Sequence, residues 1–89
     1  MLMRKIVCAA IRFDLVFSLP RPNRHYDIMK SMETQGMFTP SFLEHHVHGF
    51  LDSEGNFLPR EAAAVVAIQA RQLLIPNSLP KGLTTEHLW

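Results

Sequence analysis

The sequence has one cysteine, Cys8, and therefore excludes an intrachain disulfide. Cys8 lies in the apolar run IVCAAI, where it reads as a buried thiol rather than a nucleophile. A chain without disulfides suits the reducing cytoplasm, and a cytoplasmic location is expected. An excess of one charge is also missing. Nine Lys and Arg against eight Asp and Glu leave a net charge of +1, too little for the electrostatic grip that nucleic acid demands. The local basic run is Arg21 to Arg24, RPNR.

Long apolar runs are missing as well. The stretch from Met1 to Ala10, which carries Arg4 and Lys5, is too short for a signal peptide and far too short to span a bilayer. No membrane association is expected. No Gly/Ser-rich linker or charge block divides the 89 residues, so one domain over 1–89 is expected, with 78–89 as a tail docking on the body. Catalytic signatures are absent. Ser18, Ser31, Ser41, Ser53 and Ser78 lack the G-x-S-x-G context, and there is no HExxH, Walker loop or G-x-G-x-x-G. No cofactor is expected, and the balance is against an enzyme.

What is present is a chain 47% hydrophobic, enough for a packed core. Its organising stretch runs from His46 to Ala70: strand, tight turn, short strand, then a helix apolar on almost every side. Such a helix has to be buried, and the remaining elements must cover it.

In chain order, Lys5 to Arg12 reads as an inner strand. Ile6, Cys8 and Ala10 fall on one face, Val7, Ala9 and Ile11 on the other. Leu15 to Leu19 is a second strand, paired as a hairpin through Asp14. Pro20 to Asn23 stops it, with Asn23 as N-cap. His25, Ile28, Met29 and Met32 then mark one face of a helix over about Arg24 to Gln35, closed by Gly36. Met37 to Phe42 reads as a loop, Glu44 to Leu51 as a strand, Asp52 to Gly55 as a turn, and Asn56 to Leu58 as the partner strand. Pro59 opens the final helix, which runs to about Leu74.

Leu19-Pro20-Arg21 and Leu58-Pro59-Arg60 echo one another, each ending a hairpin and preceding a helix. The chain is therefore read as α+β with the order ββαββα: a four-stranded antiparallel sheet with two helices packed on one face.

The chemistry-bearing residues form one candidate cluster. On a continuous strand Glu44, His46 and His48 would share a face. Two imidazoles and a carboxylate can take a divalent metal. A solvated polar face is the simpler reading, so no metal is favoured; His46 and His48 would be the ligands if one bound. His25 lies on the apolar stripe of the first helix, beside Arg24 and Asp27. Arg24 and Arg60 each stand at a helix start, where free N–H groups also favour anions.

The segments IRFDLVFSLPRPNRHYDIM, HGFLDSEGNFLPREAAAVVA and TTEHLW resemble a family of small proteins of unknown function encoded by bacteriophages and prophages. The residues carrying the resemblance are Arg24, His25, Tyr26 and Asp27; His48, Gly49, Phe50, Gly55 and Phe57; Arg60, Glu61 and Ala62; and Glu86, Leu88 and Trp89. This sequence departs from the family pattern at Tyr26, where a second histidine is usual, and at His48, where glutamine is usual. It departs again at Pro59, in place of a capping Asp or Thr, and at Arg71, in place of a glycine. The resemblance implies a phage setting inside a bacterial host.

Two functional readings follow. The favoured one is a non-catalytic binding protein acting on a host or phage protein, inhibition of a host defence complex being one version. Its contact surface would be an exposed sheet face bearing Glu44, His46 and His48, or an edge strand. The alternative is a nucleotide, phosphate or metal site, with or without catalysis, built from Arg24, His25, His46, His48 and Arg60. A homodimer would cover the face or edge that a one-sided sheet leaves open.

Overall fold

The structure is a computed structural model that describes residues 4–89. Met1 and Met3, either of which could start the chain, lie outside the described residues. The elements are β1 (Ile6–Phe13), β2 (Leu15–Ser18), α1 (His25–Thr34), α2 (Pro40–His45), β3 (Val47–Asp52), β4 (Phe57–Pro59) and α3 (Arg60–Gln69), followed by a 3-10 turn at Thr85–His87. The four strands form one antiparallel sheet in the order β2-β1-β3-β4. Two strand-strand-helix units thus meet along a central β1–β3 seam.

Both hairpins are local. Asp14 closes the first with φ 60, a left-handed conformation that Asp adopts more readily than most residues. In the second, the Gly55 N–H donates to Asp52 O at 3.0 Å and Gly55 takes φ 84, which glycine accepts freely. The buried Asp52 carboxylate anchors this turn, accepting the backbone N–H of Glu54 at 2.9 Å and of Asn56 at 2.8 Å.

Strict alternation fails in β1. Ile6 pairs with Asp52 and Cys8 with Leu51, so Val7 is an extra residue in the ladder. This bulge turns Ile6 to the same side as Ala9 and Ile11. All three helices cover that side. Ile28 and Met32 of α1, Phe42 of α2, and Ala63, Ala64, Val66 and Ala67 of α3 join Ile6, Ala9, Ile11 and Phe50 in one core. The three alanines let the α3 backbone lie close to the sheet. Leu83 and Leu88 from beyond α3 complete the core.

Several boundaries differ from the sequence reading. Pro59, read as the opening of the final helix, closes β4 and stands as the N-cap of α3. The segment read as a loop contains α2: Thr39 Oγ1 accepts the Phe42 N–H at 3.1 Å, and Pro40 takes the first helical position. Consequently β3 begins only at Val47, and Glu44 is helical. At the start of α1 the N-cap is Arg24, not Asn23, its N–H held by Asp27 Oδ2 at 2.8 Å. Finally, α3 stops at Gln69 rather than near Leu74. Arg71 takes φ 56, and the Gln72 N–H turns back to Ala67 O at 2.9 Å, the left-handed termination usually built on glycine.

Candidate functional site

The sequence nominates Arg24, His25, Glu44, His46, His48 and Arg60, and the structure brings four of them together. His25 is the first residue of α1 and is buried against β3. His48 pairs with Ile11, on the inner side of the sheet. Arg60 is the first residue of α3, and His46 is the residue that ends α2.

Their rings form a continuous ladder. Phe42 stacks on His46 at 4.7 Å, His46 lies 5.1 Å from His48, and His48 stacks on His25 at 5.1 Å. His25 then meets Phe50 edge-on at 5.1 Å. Aromatic contacts of this kind add a little to the area they bury.

The polar atoms of the ladder are turned inward. His25 Nε2 donates to Gly49 O at 2.7 Å, and His46 Nδ1 donates to Phe42 O at 2.8 Å. Arg60 Nη2 donates to His48 Nδ1 at 3.1 Å, which requires a neutral His48. Among the described residues Arg60 Nε, which is buried, has no hydrogen-bond partner.

Electrostatics follow the geometry. Burial, with the neighbouring His25, Arg60 and His46, pushes His48 down from 6.5 to about 4. Burial likewise lowers His25, against the opposing effect of its bond to Gly49 O. Near neutral pH both are uncharged imidazoles; the ladder ties α2 and α1 to β3, and the Arg60–His48 hydrogen bond adds α3. Among the described residues no three His, Cys, Asp or Glu side chains are disposed to hold a metal ion.

The other two nominated residues stand apart. Glu44 is exposed on α2 and faces His45 at 3.7 Å, so it shares no strand face with His46 and His48. The premise of that shared face was a strand running through Glu44, and α2 removes it. Arg24 reaches the end of the chain instead: Nη1 donates to Thr85 Oγ1 at 2.9 Å and lies 3.7 Å from Glu86, and Nη2 donates to Trp89 O. Trp89 is fixed further by its Nε1 donating to Pro22 O at 2.9 Å and by Arg21, whose guanidinium lies 4.4 Å from the ring centroid.

With His48 turned inward, the outer sheet face carries other residues. By register these are Cys8, Ala10 and Arg12 of β1, Val16 and Ser18 of β2, Val47, Gly49 and Leu51 of β3, and Phe57 and Pro59 of β4. The buried side chains of all three helices pack on the opposite face. Phe57 lies across Gly49, where an added Cβ would come within 2.5 Å of its ring. Arg12, exposed, places its guanidinium 4.9 Å from the Phe57 ring centroid. A cleft of about 470 Å³ lined by Arg12, Phe13, Asp14, Ser41, His45 and Val47 opens beside it. The sequence reading missed Arg12 and Phe57. Their signal was positional, an arginine ending β1 and an aromatic opening β4, and it gains meaning only once the register is known.

Among the described residues no helix is long and apolar enough to cross a membrane. A family model described as phage T4 y16D protein matches residues 5–89. No curated protein and no solved structure matches the chain.

Proposed function

The chain belongs to the phage T4 y16D protein family, and from that premise we propose that it is a non-catalytic binding protein that occupies a surface of a protein partner. The observation that carries this reading is the Arg12–Phe57 pair on a sheet face to which no helix sends its core side chains. Arginine and aromatic residues dominate the energetics of protein interfaces, and a guanidinium already resting on a ring loses little freedom when it docks. Val16, 42% exposed, extends the face toward β2. The partner this face fits presents apolar surface with a carboxylate that reaches Arg12. In a phage-encoded protein, a host defence complex would be such a partner, and binding would inhibit it by occupancy.

The nucleotide or phosphate reading has less support. Arg24 is engaged by Thr85, Glu86 and Trp89, and Arg60 by His48, so the two arginines do not present a shared open fork.

The test is affinity capture from host lysate with the wild-type protein and with Arg12→Glu and Val16→Asp, each first shown to melt near the wild-type temperature. The expected result is a stoichiometric complex with the wild type that both substitutions abolish. Equal capture by all three proteins would refute the assigned surface. A thermal shift on adding phosphate or nucleotide, lost on replacing Arg60, would favour the other reading.

A further inference from the structure

The composition of α3 calls for burial on every side, yet the chain covers one side. Ala63, Ala64, Val66 and Ala67 are buried, while Val65, at the centre of the opposite face, is 54% exposed. Apolar surface continues past the helix end, where Leu74, Ile75 and Leu79 are each more than 60% exposed. A hollow of about 260 Å³ lined by Ile68, Arg71, Leu73 and Pro76 lies between the helix end and that segment. Exposed apolar surface gathered in one region marks an interface.

We propose that this face docks a second copy of the chain, α3 against α3, antiparallel about a twofold axis near Val65. The charges choose the occupant and its direction. Glu61, in the first turn, and Arg71, just past the last, stand at opposite ends of the face, and both are exposed. Among the described residues neither has an ion-pair partner within the chain. An antiparallel twofold brings each Glu61 toward the Arg71 of the other copy; a parallel pair would set like charges together. The same axis places Ala62 opposite Ile68 of the other copy and Val65 opposite Val65. The patch is thus complementary to itself, as an isologous interface must be. The small Ala62 allows a close helix approach. Because α3 lies on the inner side of the sheet, this dimer leaves the outer Arg12–Phe57 face free, and the inference stands independently of the partner proposed for that face.

Sedimentation equilibrium from micromolar to millimolar protein tests it. The wild type is expected to pass from monomer to dimer, and Val65→Asp to stay monomeric while melting as a folded protein, since Val65 is not a core residue. Glu61→Arg and Arg71→Glu should each weaken the dimer at least several-fold, and the double variant, which restores opposite charges across the axis, should recover much of the loss. A wild type monomeric throughout the range, or a dimer that Val65→Asp leaves intact, would overturn the assignment. So would a double variant no better than the worse single one.

Discussion

The imidazole rings of His25 and His48 lie 5.1 Å apart and 13° from parallel, one at the start of α1 and the other on β3. Both are held neutral first by burial and then by positive neighbours, His25 and Arg60 for His48 and Arg60 for His25. The contact therefore joins two elements only while it is uncharged.

A pH dependence of stability follows. The folded-state value for His48 is about 4 against an ordinary 6.5. Between these values the unfolded chain binds more protons than the folded one, so stability rises with pH across the window. The contribution is complete above about pH 6.5 and is lost as pH falls toward about 4. His25, also lowered, acts in the same direction. Urea titrations from pH 7 to pH 4 should show a steady fall, and His48→Gln should flatten it. An unchanged slope in that variant would show that His48 is not the titrating group.

Gly49 is expected to tolerate no side chain. An added Cβ would stand 2.3 Å from Leu58 O and 2.5 Å from the Phe57 ring. The first obstacle is backbone of the paired strand and cannot swing aside. Gly49→Ala should cost about 1–3 kcal/mol by chemical denaturation.

Arg71 is expected to be a site of easy stabilisation. Its φ of 56 places Cβ against the carbonyl that follows, a strain glycine does not feel. Arg71→Gly should raise the stability of the monomer by about 1 kcal/mol, measured at protein concentrations where no dimer forms.

The C-terminal segment is expected to report on the core. Leu88 is 5% exposed, and the adjacent Trp89 is the chain's sole tryptophan. Leu88→Ala should cost about 2–5 kcal/mol. It should also free Trp89 from Pro22 and Arg21, seen as a red shift of its fluorescence.

The fold was legible wherever one residue period or one turn dictated the outcome. The hairpin through Asp52 and Gly55 and the stripe of Ile28 and Met32 needed no tertiary information. The ββαββα frame followed from them, and the structure inserts α2 within it. Thr39-Pro40-Ser41 has two local meanings, loop punctuation and helix start, and only the burial of Phe42 decides between them. That choice moved Glu44 off the strand and out of the nominated cluster. The bulge at Val7 left no mark in sequence, because Ile6, Cys8 and Ala10 are apolar whichever way they point. The meeting of His25, His48 and Arg60 depends on pairing across the sheet, which no local pattern encodes. The side of α3 left open was illegible for a related reason: composition says that a helix needs cover, and not which molecule provides it.

The β1–β3 seam also sets an order of events in time. Each hairpin pairs residues that are neighbours in the chain, whereas the seam joins Ala10 to Gly49 across roughly forty residues. Closing that span costs entropy before any core contact repays it, so the seam should govern the folding rate. During synthesis the first hairpin and α1 emerge with the inner edge of β1 unpaired, and they wait for β3 to leave the ribosome. In that interval the inner edge of the apolar strand β1 has no partner.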